Sequence, residues 1–283
     1  MTDIIIRNGA MNLAASVFGP EGAPDVLFLH GIAGSRDTWE EAVRRLEDRF
    51  RVWSLDFRGH GYSDRAASYR VEDYAADAAA ALDVIRRPTV IVSHSLGAVT
   101  AAYLAQAPHP LVKAVFLEDP PYYFGEAAEF AKSGNAARFA AVQKRLIEMR
   151  ANGAGLDDYL RVAAATPAPQ GGVQADHTSP RHLLSAASGM MRQDPDCWTP
   201  ASSTAVFEKF DGDRPLKVPA LLLQADHALG PGMLDGHEKR FLAANVNAEV
   251  VYWEGAPHRI HATRAFEQKC LDEIDAFVTR HAG

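Results

Sequence analysis

The segment Thr89-Val-Ile-Val-Ser93-His-Ser95-Leu-Gly97-Ala98 restricts the chain most. Thr89–Val92 is β-branched and apolar, as a short buried strand would be. Leu96 to Gln106 is a run of small and apolar residues with no polar face, and a helix of that kind must be buried. Between the two stands small-x-Ser-x-Gly. A strand that passes directly into a buried helix needs a tight turn. The residues on either side of that turn must be small, because the backbones there nearly touch, and the turn pushes the Ser95 hydroxyl out at the top of a sheet.

The rest of the chain agrees with a sheet of that kind. Ile4–Arg7 and Leu13–Phe18 read as strands joined by a turn at Asn8-Gly9. Val26–Leu29, Val52–Leu55 and Val112–Leu117 are short apolar strands, and Thr38–Leu46 is helix-like. Val71, Tyr74, Ala75, Ala78, Leu82 and Ile85 recur at helical spacing. Alternation of strand and helix predicts a mainly parallel sheet covered on both faces, with chemistry at the carboxyl ends of its strands. From Tyr122 to Phe210 the pattern becomes helical, with Gly/Pro breaks such as Pro167–Gly172. It returns to strand and helix at Val218–Leu223, Ala248–Trp253 and a closing helix that carries Phe266, Cys270, Ile274 and Phe277 on one face. The expected organisation is an α/β core of residues 1–121 and 211–283 with a helical cap over 122–210.

Composition narrows the function. A net charge of −7 argues against nucleic acid or an anionic membrane as partner. Two cysteines, Cys197 and Cys270, make no disulfide framework and read as small apolar residues. With no signal-peptide pattern at the N-terminus and no long apolar run, the expected location is the cytoplasm. There is no phosphate-binding glycine motif and no metal-ligand spacing, so no cofactor and no metal are expected. A small-molecule substrate is the expected partner, and oligomeric state, a homodimer included, stays open.

Ser93-His94-Ser95-Leu96-Gly97 is a nucleophile elbow, and with four further segments the chain resembles the α/β-hydrolase superfamily over essentially its whole length. Leu27-Phe-Leu-His30-Gly31-Ile32 is similar to the family's oxyanion loop, and Asp56-Phe-Arg58-Gly-His60-Gly61-Tyr-Ser63-Asp64 to its D-x-R-G-x-G-x-S turn. The helical insertion falls where the family carries its cap. Gly255-Ala-Pro257-His258 is similar to the loop that bears the catalytic histidine. The resemblance implies an eight-stranded sheet, Ser95 as nucleophile, His258 as base, and the backbone N–H groups of Ile32 and Leu96 as oxyanion donors. His261 is the alternative base. His30, His60 and His94 read as structural, and His109, His177, His182, His227, His237 and His281 as surface residues. Asp56, Arg58 and Asp64 read as a polar brace.

The acid that should orient His258 is open. The usual family position after the seventh strand holds Leu229, and Asp226 comes too early. The other known position, after the sixth strand, holds Asp119, as in some haloalkane dehalogenases and the zearalenone lactonases. Asp119 is the first choice, Asp226 the second and Glu118 the third. Substrate contacts are expected from Gly31 and His94, and in the cap from Trp198, Tyr123 and Phe124, whose aromatic rings suit an apolar or aromatic substrate. The expected activity is hydrolysis of a carboxylic ester or lactone through an acyl-serine. A carbon–carbon bond hydrolase, a haloperoxidase-like enzyme and a hydrolase-like receptor with little turnover are the alternatives.

Overall fold

A computed structural model describes all 283 residues, Met1–Gly283. The apolar runs become strands β1 (Thr2–Asn8), β2 (Met11–Phe18), β3 (Asp25–Leu29), β4 (Arg51–Leu55), β5 (Thr89–His94), β6 (Val112–Glu118), β7 (Ala220–Gln224) and β8 (Ala248–Tyr252). They form one sheet in the order β1-β2-β4-β3-β5-β6-β7-β8. β1 and β2 pair antiparallel, β2 is antiparallel to β4, and β3 to β8 run parallel. β3, β5 and β7 are buried along their whole length, because helices cover both faces of the sheet.

The pleat sends alternate side chains to opposite faces. Leu27, Leu29, Ile91, Val115 and Leu117 pack beneath α2 (Val71–Ile85) and α3 (Leu96–Ala105). Val26, Phe28, Val90, Val92 and Phe116 pack beneath α1 (Glu40–Leu46) and α11 (Glu267–Ala282). The expected helix Thr38–Leu46 is divided: its first turn, Arg36–Trp39, is a 3₁₀ turn that leads into α1. α10 (His237–Ala244) joins β7 to β8.

Between β6 and β7 the chain makes α4 (Ala127–Ser133), α5 (Asn135–Ala151), α6 (Leu156–Ala165), α7 (Gln174–His177), α8 (Pro180–Arg192) and α9 (Trp198–Ala201). These helices bury a small core of their own around Leu146, Tyr159, Ala187 and Trp198. Side chains from α5 and α9 share cavities with Ser95, so the insertion lies over the carboxyl ends of the strands. No helix is long and apolar enough to cross a membrane.

Strand order reverses at β3: the chain goes outward on one side to β4, then returns across to β5. Loops leaving β3 and β5 therefore diverge and open a crevice at their carboxyl ends. The turn after β4 is held by a buried pair in which Arg58 donates Nη2–H to Asp77 Oδ1 at 2.7 Å and Nε–H to Oδ2 at 3.0 Å. Asp77 is fully buried and Arg58 nearly so. Replacing Asp77 takes the bidentate partner from a buried guanidinium and leaves it only Asp73, 3.2 Å away. Asp77→Ala should lower unfolding stability by about 3–5 kcal/mol, measured by urea titration.

Candidate active site

Ser95 ends β5 in a strained turn. Its φ is +54°, a region that costs a side-chain-bearing residue about 1–3 kcal/mol. The surroundings enforce the conformation. Ser95 N–H donates to the Glu118 carbonyl at 2.9 Å. Gly97 leaves no room for a side chain, since a Cβ there would meet the carbonyl oxygens of Leu29 at 2.5 Å and His30 at 2.6 Å. Ser93 stands where the family pattern has glycine. Its hydroxyl is accommodated by donating to the Phe116 carbonyl at 2.7 Å.

His258 lies on the loop after β8 and meets Ser95, with Nε2 and Oγ 2.9 Å apart. The other ring nitrogen, Nδ1, is 2.5 Å from Asp119 Oδ2. The network assigns the proton on His258 Nδ1 to the hydrogen bond with Asp119, which leaves Nε2 to accept from the serine hydroxyl. Asp119 is fully buried with φ +41° at the end of β6. Its carboxylate also accepts backbone N–H groups from Gly232 at 2.7 Å, Ala225 at 3.3 Å and Met233 at 3.4 Å. A buried carboxylate with these donors is solvated by protein.

The other acid candidates fall elsewhere. Asp226 closes its own loop, accepting from Ala228 N–H at 2.9 Å and Gly255 N–H at 2.7 Å, and those bonds hold its carboxyl below the usual range. It makes no hydrogen bond to His258, so the second choice for the acid is not supported by the geometry. Glu118 faces the opposite way along β6 and takes the backbone N–H of His261 at 3.0 Å and its Nδ1–H at 2.7 Å. His261 is thereby tied to Glu118 and does not contact Ser95.

Burial separates the histidines by charge. It pushes the rings of His94 and His261 well below the usual histidine range and His30 to about 3, so these stay neutral. His94 donates Nε2–H to the His258 carbonyl at 3.0 Å. His258, whose side chain is 27% exposed, is open to the cavity. Two of the histidines expected at the surface are buried instead. His182 pairs with Glu267 at 2.9 Å, and His237 pairs with Glu129 at 3.1 Å. A carboxylate from a distant part of the chain makes each burial tolerable, and no local pattern announces it.

His94, Glu118 and His261 bring possible ligand atoms close together, all buried. Hydrogen bonds within the group and to the His258 carbonyl already account for this arrangement. A second such group, His227, Asp235 and Glu238, lies towards the surface.

Above Ser95 the loop after β3 is pressed onto the elbow. A Cβ on Gly31 would lie 2.8 Å from His94 Nδ1 and 3.1 Å from Ser95 Cβ. Ile32 N–H has no acceptor within the chain. Leu96 opens α3, where first-turn amides lack a helical acceptor and the helix dipole favours negative charge. Gln193 holds the loop from the insertion side. It takes Trp198 Nε1–H at 3.0 Å, and its amide donates to the Ile32 carbonyl and to His60 Nε2.

One cavity beside Ser95, about 40 Å³, is walled by Phe124, Phe139, Val206 and Phe207. Another, about 150 Å³, runs between Gly31, His94, Phe139 and Trp198. A wider one, about 450 Å³, reaches His258 from the outside past Ser133, Pro167 and Thr178. Gly31, His94, Phe124 and Trp198 thus face the space around Ser95. Tyr123 does not. It is buried, with its ring under Arg240 at 4.2 Å and against His237 at 4.8 Å. Neighbouring residues on this turn point to opposite sides, so only one of the Tyr123-Phe124 pair can line the cavity. Gln193, Arg138 and Arg259 have no counterpart in the sequence analysis, nor do the cavity walls Phe139 and Val206. Arg259 adjoins His258 and was within reach of it, whereas Gln193 and Arg138 carry no local signal.

A sequence profile of the α/β hydrolase fold matches residues 24–146. A 2-(acetamidomethylene)succinate hydrolase of Mesorhizobium japonicum is 39% identical over 111 residues, 38% of this chain and 39% of that protein. A pimeloyl-[acyl-carrier protein] methyl ester esterase of Methylococcus capsulatus is 35% identical over 104 residues, 36% of this chain and 40% of that protein. The matched segments thus span about two-fifths of these relatives' lengths. The crystal structure of an E-2-(acetamidomethylene)succinate hydrolase superposes with a TM-score of 0.73 at 20% identity, over 98% of this chain and 99% of that one. The chain has the α/β-hydrolase fold.

The Gln193 bridge is open to test. In Gln193→Leu the Trp198 N–H and the Ile32 carbonyl lose a buried partner, which should cost about 1–3 kcal/mol of stability in urea unfolding.

Proposed function

We propose that the chain is a serine hydrolase that cleaves a carboxylic ester or lactone of a small substrate through an acyl-serine intermediate. The observation that carries this reading is the hydrogen-bonded line from Asp119 through His258 to Ser95, which ends at a cavity. A serine hydroxyl is a weak nucleophile at neutral pH. As Oγ attacks the substrate carbonyl, Nε2 of His258 takes the hydroxyl proton, and Asp119 holds the ring and stabilises the imidazolium. The oxyanion of the tetrahedral intermediate faces the N–H groups of Ile32 and Leu96. Each such donor is worth about 2.7–4 kcal/mol of transition-state stabilisation. His258 then protonates the leaving alkoxide, which departs as the alcohol and leaves acyl-Ser95. Water replaces the alcohol, His258 takes its proton, and its attack on the acyl carbonyl releases the acid and restores the serine.

The walls of Phe124, Phe139, Val206 and Phe207 suit an apolar or aromatic portion of the substrate, and the modest cavity volumes favour a small one. Trp198, with its N–H held by Gln193, offers its ring to that space. The names of the relatives agree with an ester or a related carbonyl bond as target.

A fluorophosphonate should label the intact protein once, at Ser95, and leave Ser95→Ala unlabelled. Absence of label on the folded wild-type protein defeats the acyl-serine reading. Asp119→Asn should reduce kcat on 4-nitrophenyl esters by roughly 10⁴-fold, because the ring loses its orienting carboxylate. Asp226→Ala should leave kcat at the wild-type level, since that carboxylate serves the Ala228 and Gly255 amides.

A further inference from the structure

Two arginines at the site have no acidic partner. Arg138, on α5, donates Nε–H and Nη2–H to the Asn135 side-chain oxygen at 3.1 and 2.7 Å, and has no carboxylate within ion-pair distance. Arg259 follows His258 directly, and its guanidinium makes neither a hydrogen bond nor an ion pair in the chain. Arg58, Arg70 and Arg240 are each held by carboxylates, whereas Arg7 and Arg145 also lack one but line none of the cavities beside Ser95.

Their position gives the observation its meaning. Arg138 lines all three cavities around the Ser95–His258 pair, and Arg259 lines two of them. The two come from opposite sides, one from the helical insertion and one from the core loop that carries His258. Burial lowers the pKa of the half-buried Arg259 guanidinium, which would gain from a counter-anion, and the more exposed Arg138 brings a second charge to the same cavities.

We propose that Arg138 and Arg259 form an anion subsite for a carboxylate borne by the substrate, remote from the bond cleaved at Ser95. A guanidinium offers a planar fork that matches a carboxylate, and two forks from opposite walls fix its orientation. The preferred substrate is then a half-ester of a dicarboxylic acid, or a lactone that bears a free carboxylate: the arginines hold that carboxylate, and the apolar walls guide the intervening carbons to Ser95. This deepens the acyl-serine reading and rests on it for the bond cleaved, though not for the anion subsite itself.

The test uses matched pairs: mono-4-nitrophenyl glutarate and adipate against 4-nitrophenyl pentanoate and hexanoate, in which a methyl group replaces the free carboxylate. Binding is measured by titration calorimetry on full-length Ser95→Ala, and kcat/KM on the wild type. The carboxylate member of each pair should bind at least about tenfold more tightly, and the wild type should show the same preference in kcat/KM. Adding Arg138→Met or Arg259→Met should remove about tenfold of it, while Arg138→Lys keeps part. Equal binding within each pair, or a preference that survives both methionine substitutions, overturns the proposal. Arg138 sits on a helix outside the sheet, so its variants test the idea even if Arg259→Met does not fold. If fluorophosphonate fails to label the wild type while the carboxylate preference holds in Ser95→Ala, the acyl-serine reading falls and the anion subsite stands.

Discussion

The site depends on a turn that would not exist in isolation. Ser95 sits at φ +54°, and neither its strand nor its helix favours that conformation. The turn persists because the sheet closes on it from two sides. β6 accepts the Ser95 N–H through the Glu118 carbonyl, and the end of β3 presses its carbonyls against Gly97. The packing energy of a doubly covered sheet thereby holds a single hydroxyl in place, and the loops that carry His258 and Ile32 are fitted around it.

β6 contributes two neighbouring carboxylates to opposite ends of one histidine-bearing loop. Asp119 holds the His258 ring, while Glu118 holds the backbone and ring of His261. The segment between the two histidines is pinned at both ends. Burial keeps the flanking imidazoles neutral, so a positive charge on His258 would meet Asp119 and no cationic neighbour among these rings.

Much of this was legible in the chain. Apolar β-branched runs gave the strands, because a strand buried on both faces must be apolar throughout. The spacing of Ser93, Ser95 and Gly97 gave the turn, because close backbone approach excludes larger residues. Legibility failed where the outcome depended on contacts far apart in sequence. Asp119 and Asp226 could be ranked but not separated, since only the fold shows which one faces the His258 ring. Tyr123 and Phe124 are equivalent by composition, and only the course of the turn sends one inward. His182 and His237 looked like surface residues because the glutamates that accompany their burial lie 85 and 108 positions away. Arg138 and Arg259 look like ordinary surface charges until their place in the cavity walls is seen.

The bridge from Trp198 through Gln193 to the Ile32 carbonyl crosses the seam between the helical insertion and the loop after β3. The loop is therefore supported from outside the core as well as from within it. His60 Nε2, 2.7 Å from the same carbonyl, supports it from the core side. One backbone oxygen is thus the meeting point of two separately packed layers, and a change in the packing of either layer reaches the loop after β3 through a single atom.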